Sequence, residues 1–68
     1  MERLSDREIE ILELISQGLS TRLIAEKLHI SVKTVETHSQ RIKAKLNLEG
    51  AAELAKYAIQ WVEFERGS

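Results

Sequence analysis

The sequence predicts an all-α domain of four helices, and three observations carry that reading. Apolar residues recur at spacings of three and four in four separate stretches. Serines stand just ahead of the first three stretches, where a helix needs a side-chain acceptor. There is no proline, and the three glycines, Gly18, Gly50 and Gly67, fall at stretch ends. With 68 residues the chain is expected to form one domain spanning 1–68. It has no cysteine, so disulfides and thiolate metal sites are excluded, and the 43% apolar fraction must supply the core.

The first helix is predicted over 6–17. Ser5-Asp6-Arg7-Glu8 has capping-box spacing, in which Ser5 accepts from the amide of residue 8 while the Glu8 side chain reaches back. Ile9, Leu12, Ile15 and Leu19 then make a helical stripe, widened by Ile11 and Leu14, and Gly18 supplies a left-handed stop. The second helix is predicted over 21–28, capped by Ser20 or Thr21, with Leu23, Ile24, Ala25 and Leu28 at helical spacing. After a tight connection through His29 and Ile30, Ser31 caps a third helix predicted over 32–46. On a helical wheel Val35, Ile42 and Leu46 define its core side, and Lys33, Thr37, Gln40 and Ala44 cluster opposite, flanked by Glu36 and Arg41. Asn47 ends that helix and Leu48 plugs the core. The fourth helix is predicted over 50–63, with Leu54, Tyr57, Ala58, Trp61 and Val62 on one stripe and neither cap nor periodicity from Phe64 onward.

The net charge of −1 conceals an uneven distribution. Residues 1–19 set two cations against five carboxylates, residues 20–47 six cations against two, and residues 48–68 two against four. The basic middle coincides with the second and third helices, which predicts a one-faced electrostatic footprint for a polyanion. Two short helices joined by a turn of about three residues, the second longer and faced with small polar side chains, form a helix-turn-helix. A major groove about 12 Å wide admits one such helix, and its base edges offer donors, acceptors and the thymine methyl.

Leu4-Ser5-Asp6-Arg7-Glu8, Glu10-Ile11-Leu12, Leu14-Ile15 and Gly18 resemble the opening of a LuxR/NarL/GerE-type domain. Ile24-Ala25, Leu28, Ile30-Ser31, Lys33-Thr34-Val35, His38, Ile42 and Lys45-Leu46 resemble its helix-turn-helix core, and the likeness runs from Leu4 to about Val62. The resemblance implies the output domain of a bacterial transcription regulator, most often of a two-component response regulator. In the full-length protein it implies an N-terminal receiver domain outside these residues. It implies sequence-specific binding to double-stranded DNA, with the third helix in the major groove, and a homodimer on paired half-sites. By position it assigns Lys33, Glu36, Thr37, Gln40 and Arg41 to bases, and Ser20, Thr21, Arg22, Lys33, Thr34 and Lys45 to phosphates. Leu54, Tyr57, Ala58, Trp61 and Val62 are its candidates for the dimer interface. The sequence departs from the family pattern at Glu36, where many members carry Lys, at Leu23, which replaces an acidic or amide residue, and at Ala51, which replaces Arg.

An enzyme is not expected. Ser39 and His38 are neighbours on a helix and so point about 100° apart, and two isolated histidines make no metal site. His38 is expected to pack under the first helix. No cofactor is implied. The competing reading is a small helical protein-interaction module that uses the Tyr57/Trp61 face without specific DNA binding. No apolar run reaches a membrane-spanning length of about 18 residues, and Met1-Glu2-Arg3 opens no apolar signal segment, so a cytoplasmic protein without a membrane partner is expected.

Overall fold

A computed structural model describes residues 3–67 and contains four helices, α1 (Asp6–Ser16), α2 (Thr21–Leu28), α3 (Val32–Leu46) and α4 (Ala51–Gly67). Positions 1, 2 and 68 of the expected domain, and with them the opening Met1-Glu2, lie outside the described residues.

Each start follows from its cap. The Glu8 amide donates to Ser5 Oγ at 3.2 Å and the Ser5 amide donates to Glu8 Oε1 at 2.8 Å, completing the capping box of α1. Ser20, rather than Thr21, caps α2, accepting from the Leu23 amide at 3.3 Å. Ser31 caps α3, accepting from the Thr34 amide at 3.0 Å. At α4 the Gly50 carbonyl accepts the first helical bond, from the Leu54 amide, so the helix begins at Ala51, one residue later than expected.

The first three ends share one device. Gly18, His29 and Asn47 take left-handed conformations, with φ of 81°, 57° and 58°. The next residue in each case, Leu19, Ile30 or Leu48, returns its amide to the carbonyl five residues back and packs against the core. This is the Schellman arrangement with its apolar contact. Glycine adopts that backbone freely, and the short polar Asn tolerates it; at His29 a Cβ is forced into it. The expected end of α4 near residue 63 is corrected to Gly67. Phe64, Glu65 and Arg66 are ordinary helix residues, and no proline or glycine intervenes before Gly67.

The core is formed by Ile11 and Leu12 of α1, Ile24 and Ala25 of α2, Val35 and Ile42 of α3, and Leu54 and Ala58 of α4. Burying each large apolar side chain contributes roughly 1.5–3 kcal/mol. α1 lies at the centre, packed on α2, α3 and α4, while α2 packs closely on α3. His38 is half-buried on α3, and its Nδ1 has no hydrogen-bond partner among the described residues.

Candidate nucleic-acid interface

Val35 and Ile42 are 1% and 0% exposed, which fixes the rotation of α3 about its own axis. Lys33, Glu36, Thr37, Gln40, Arg41 and Ala44 are all exposed as a consequence. The structure thereby brings every expected base-facing residue onto the open side of one helix of 15 residues.

Local hydrogen bonds decide what each can offer. The Thr37 hydroxyl donates to the Lys33 carbonyl at 3.1 Å. Its hydrogen is therefore committed inside the helix, and it presents outward a methyl group and oxygen lone pairs. The Ser31 and Thr34 hydroxyls lie 2.8 Å apart. With Ser31 donating, Thr34 retains a hydrogen for an anion. At the start of α2, Ser20, Thr21 and Arg22 are exposed beside amides that α2 leaves without helical partners.

Lys45 does not join this face. Its ammonium donates to Glu8 Oε1 at 2.8 Å and to the Arg3 carbonyl at 3.2 Å, tying the last turn of α3 to the start of α1. The side chain is 23% exposed and that of Glu8 only 3%. Burial pushes the Glu8 carboxyl up, but the hydrogen bonds from Lys45 and the Ser5 amide, with the Lys45 charge, outweigh it and hold the group below its ordinary value. On the wheel Lys45 sits about 80° from Val35 on one flank of the core side, as Lys43 does on the other, so helical spacing alone does not mark the pairing.

The expected dimer set divides in the same way. Leu54 and Ala58 are 4% and 0% exposed and belong to the core, so neither is open to a second chain. Tyr57 and Trp61 are half-buried against that core, and Val62 is half-buried. The large apolar side chains of α4 that are exposed are instead Ile59 and Phe64. Sequence reasoning also passed over Val32, 41% exposed in the first turn of α3, and Lys43, which lines a groove with Ser20 and Thr21. Among the described residues no three His, Asp or Glu side chains gather as metal ligands, and no helix is long and apolar enough to cross a membrane.

Comparison with known proteins agrees with this architecture. Over 57 residues, 84% of this chain, the sequence is 54% identical to the oxygen regulatory protein NreC of Staphylococcus carnosus (strain TM300). The NreC proteins of Staphylococcus epidermidis (strain ATCC 12228) and Staphylococcus aureus (strain USA300) are 54% and 53% identical over the same length. In each the match covers 26% of the relative, so the chain spans about a quarter of the length of the proteins it resembles. The profile of the bacterial regulatory proteins of the luxR family matches residues 2–58, from ahead of the α1 cap to Ala58 of α4. The chain is a four-helix, helix-turn-helix member of the luxR family of bacterial regulatory proteins.

Proposed function

We propose that this domain binds double-stranded DNA sequence-specifically, as the output domain of a two-component response regulator, with α3 lying in the major groove. One observation carries the reading: α3 buries Val35 and Ile42 while exposing a polar face of Lys33, Glu36, Thr37, Gln40 and Arg41, next to the capped start of α2. In that pose Gln40 pairs with adenine through its amide, and Thr37 offers its methyl to thymine and its oxygen to a base amino group. Glu36 accepts from cytosine N4 or adenine N6, and Lys33 and Arg41 reach guanine or the backbone. Ser20, Thr21, Arg22 and Thr34 hold phosphates, through hydroxyls and a guanidinium that fix register without reading sequence.

Pairing on adjacent half-sites is part of the same proposal. Ala52, Ala55, Ile59 and Val62 recur at spacings of three and four along α4 and are exposed or half-exposed, which supports a second copy of the chain docking there. That the match covers only 26% of the relatives supports a further domain in the full-length protein, for which we propose an N-terminal receiver. Membership of a family of bacterial regulatory proteins supports a cytoplasmic setting.

Selection from a randomised duplex pool at two salt concentrations tests the reading. Enrichment of a paired motif, with affinity falling steeply as salt rises, is the expected result. Lys33→Ala then weakens binding to every duplex and flattens the salt slope by about 0.9, whereas Gln40→Ala mainly relaxes one base position, by about 1–3 kcal/mol. Equal losses on all duplexes for both variants would refute the division of roles. Absence of binding at either salt would favour an interaction module built on the Tyr57/Trp61 face.

A further inference from the structure

We propose that Lys43, rather than Lys45, supplies the phosphate-binding cation of the last turn of α3. The inference rests on the DNA-binding reading above and assigns to it a residue that reading does not contain. Lys43 and Lys45 are two positions apart on a helix, so they leave its axis about 200° apart. Lys45 faces α1, where a carboxylate 2.8 Å away and the Arg3 carbonyl occupy its ammonium. Neutralised in this way, it has little charge to offer an approaching polyanion.

Lys43 leaves from the other side, the side of α3 that also carries Glu36 and Gln40. It lines a groove of about 300 Å³ together with Ser20 and Thr21 at the start of α2, Ser39 of α3 and Ala51 at the start of α4. No carboxylate lines this groove, and its remaining walls are aliphatic. Lys43 is half-exposed and has no ion-pair partner among the described residues. A long cationic side chain at such an apolar edge is expected to lay its stem along the wall and leave its ammonium in water.

The consequence is geometric as well as electrostatic. A duplex seated on Lys33, Thr37 and Gln40 runs its backbone past the start of α2, where the Ser20 and Thr21 hydroxyls lie. A cation in the same groove meets the same strand there. Lys45 leaves α3 from the other flank, with its ammonium already bonded to Glu8 and to the Arg3 carbonyl. An ammonium held by its stem at the groove edge can follow a phosphate without reading a base, so its contribution is blind to sequence.

Salt titrations of the 68-residue chain separate the two lysines, using the duplex selected from the pool and an unrelated random-sequence duplex between about 50 and 200 mM salt. Lys43→Met keeps the stem and removes the charge. It is expected to lower the log–log salt slope by about 0.9 on both duplexes and affinity by about eightfold at 0.1 M, the loss of one phosphate contact. Lys43→Gln gives the same slope, Lys43→Arg restores it, and the thermal midpoint stays at the wild-type value. Lys45→Met keeps the wild-type slope and lowers the thermal midpoint instead. Wild-type slopes for Lys43→Met and Lys43→Gln on both duplexes would overturn the assignment while leaving DNA binding intact. A wild-type chain with no salt-dependent affinity would overturn the DNA reading, and this inference with it.

Discussion

Lys45→Met removes the ammonium from Glu8 and leaves a carboxylate, 3% exposed, with Ser5 as its remaining hydrogen-bond partner among the described residues. Removing one member of a fully buried pair costs about 3–5 kcal/mol; because Lys45 is 23% exposed, water reaches the vacated site and about 2–4 kcal/mol is expected. A domain of this size holds roughly 3–10 kcal/mol in all, so the variant sits near the edge of folding. Urea unfolding across pH is the assay. Wild-type Glu8 titrates below its ordinary 4.5, so the folded state binds fewer protons than the unfolded state in acid. Its stabilisation is complete above about pH 4.5 and is lost as pH falls through the folded value. In the variant burial is no longer countered by Lys45, the folded value rises, and protonating Glu8 relieves the strain. The gap between the two proteins is therefore widest at neutral pH and narrows as pH falls first through the variant's raised folded value and then through the wild type's lowered one. A gap under about 0.5 kcal/mol at pH 7, or one that stays constant into acid, would refute the assignment of Lys45 to Glu8.

Three further outcomes follow from the packing. His29→Gly removes a Cβ from a left-handed residue and is expected to stabilise by about 0.5–1 kcal/mol, raising the thermal midpoint by several degrees; a lower midpoint would mean that the His29 ring makes contacts worth more than its strain. Ala58→Leu forces a larger side chain into a site that is 0% exposed between α4 and the core, at a cost of about 1–3 kcal/mol in urea unfolding. An unchanged folding stability with altered pairing would instead place Ala58 at an interface. Ile59→Glu leaves monomer stability within about 0.5 kcal/mol and weakens binding to paired half-sites more than to a single one, measured by gel shift; equal losses on both would remove α4 from the dimer.

The fold was legible because its signals are local. Three serines cap three helices, and Gly18 and Asn47 stop two of them in the conformation their residue types favour. His29 gave no such signal, since its αL backbone is imposed by Ile30 packing inward while its amide bonds back to Ala25. The exposed stripe of α3 was equally legible, because a buried Val35 and Ile42 leave only one direction outward. Side-chain partners across the fold were not. Nothing in the spacing of residues 8 and 45 brings them together; the packing of α1 on α3 does, and it turns a cation counted toward DNA into a buried tie. On α4 the single stripe read from the sequence merges two faces, because Leu54 and Ala58 point at α1 while Val62 begins the side that carries Ile59.

A buried ion pair is weak evidence for stability, since an apolar pair of similar volume frequently does as well, so the Glu8–Lys45 tie calls for another account. Its geometry supplies one. Buried Val35 and Ile42 set which side of α3 turns to the core, and a 2.8 Å bond to a carboxylate that is itself held by the Ser5 amide adds a directional contact at its last turn. The tie is therefore expected to reinforce the azimuth of α3 relative to α1, and with it the direction in which Lys33, Thr37 and Gln40 face. Replacing both partners, as Glu8→Leu with Lys45→Met, removes the unpaired charge that makes the single variant costly. The double variant is expected to regain most of the lost stability while selecting a broader set of sequences from a randomised pool, with the relaxation centred on the base opposite Gln40. Recovery of stability with undiminished selectivity would show that apolar packing alone orients the helix.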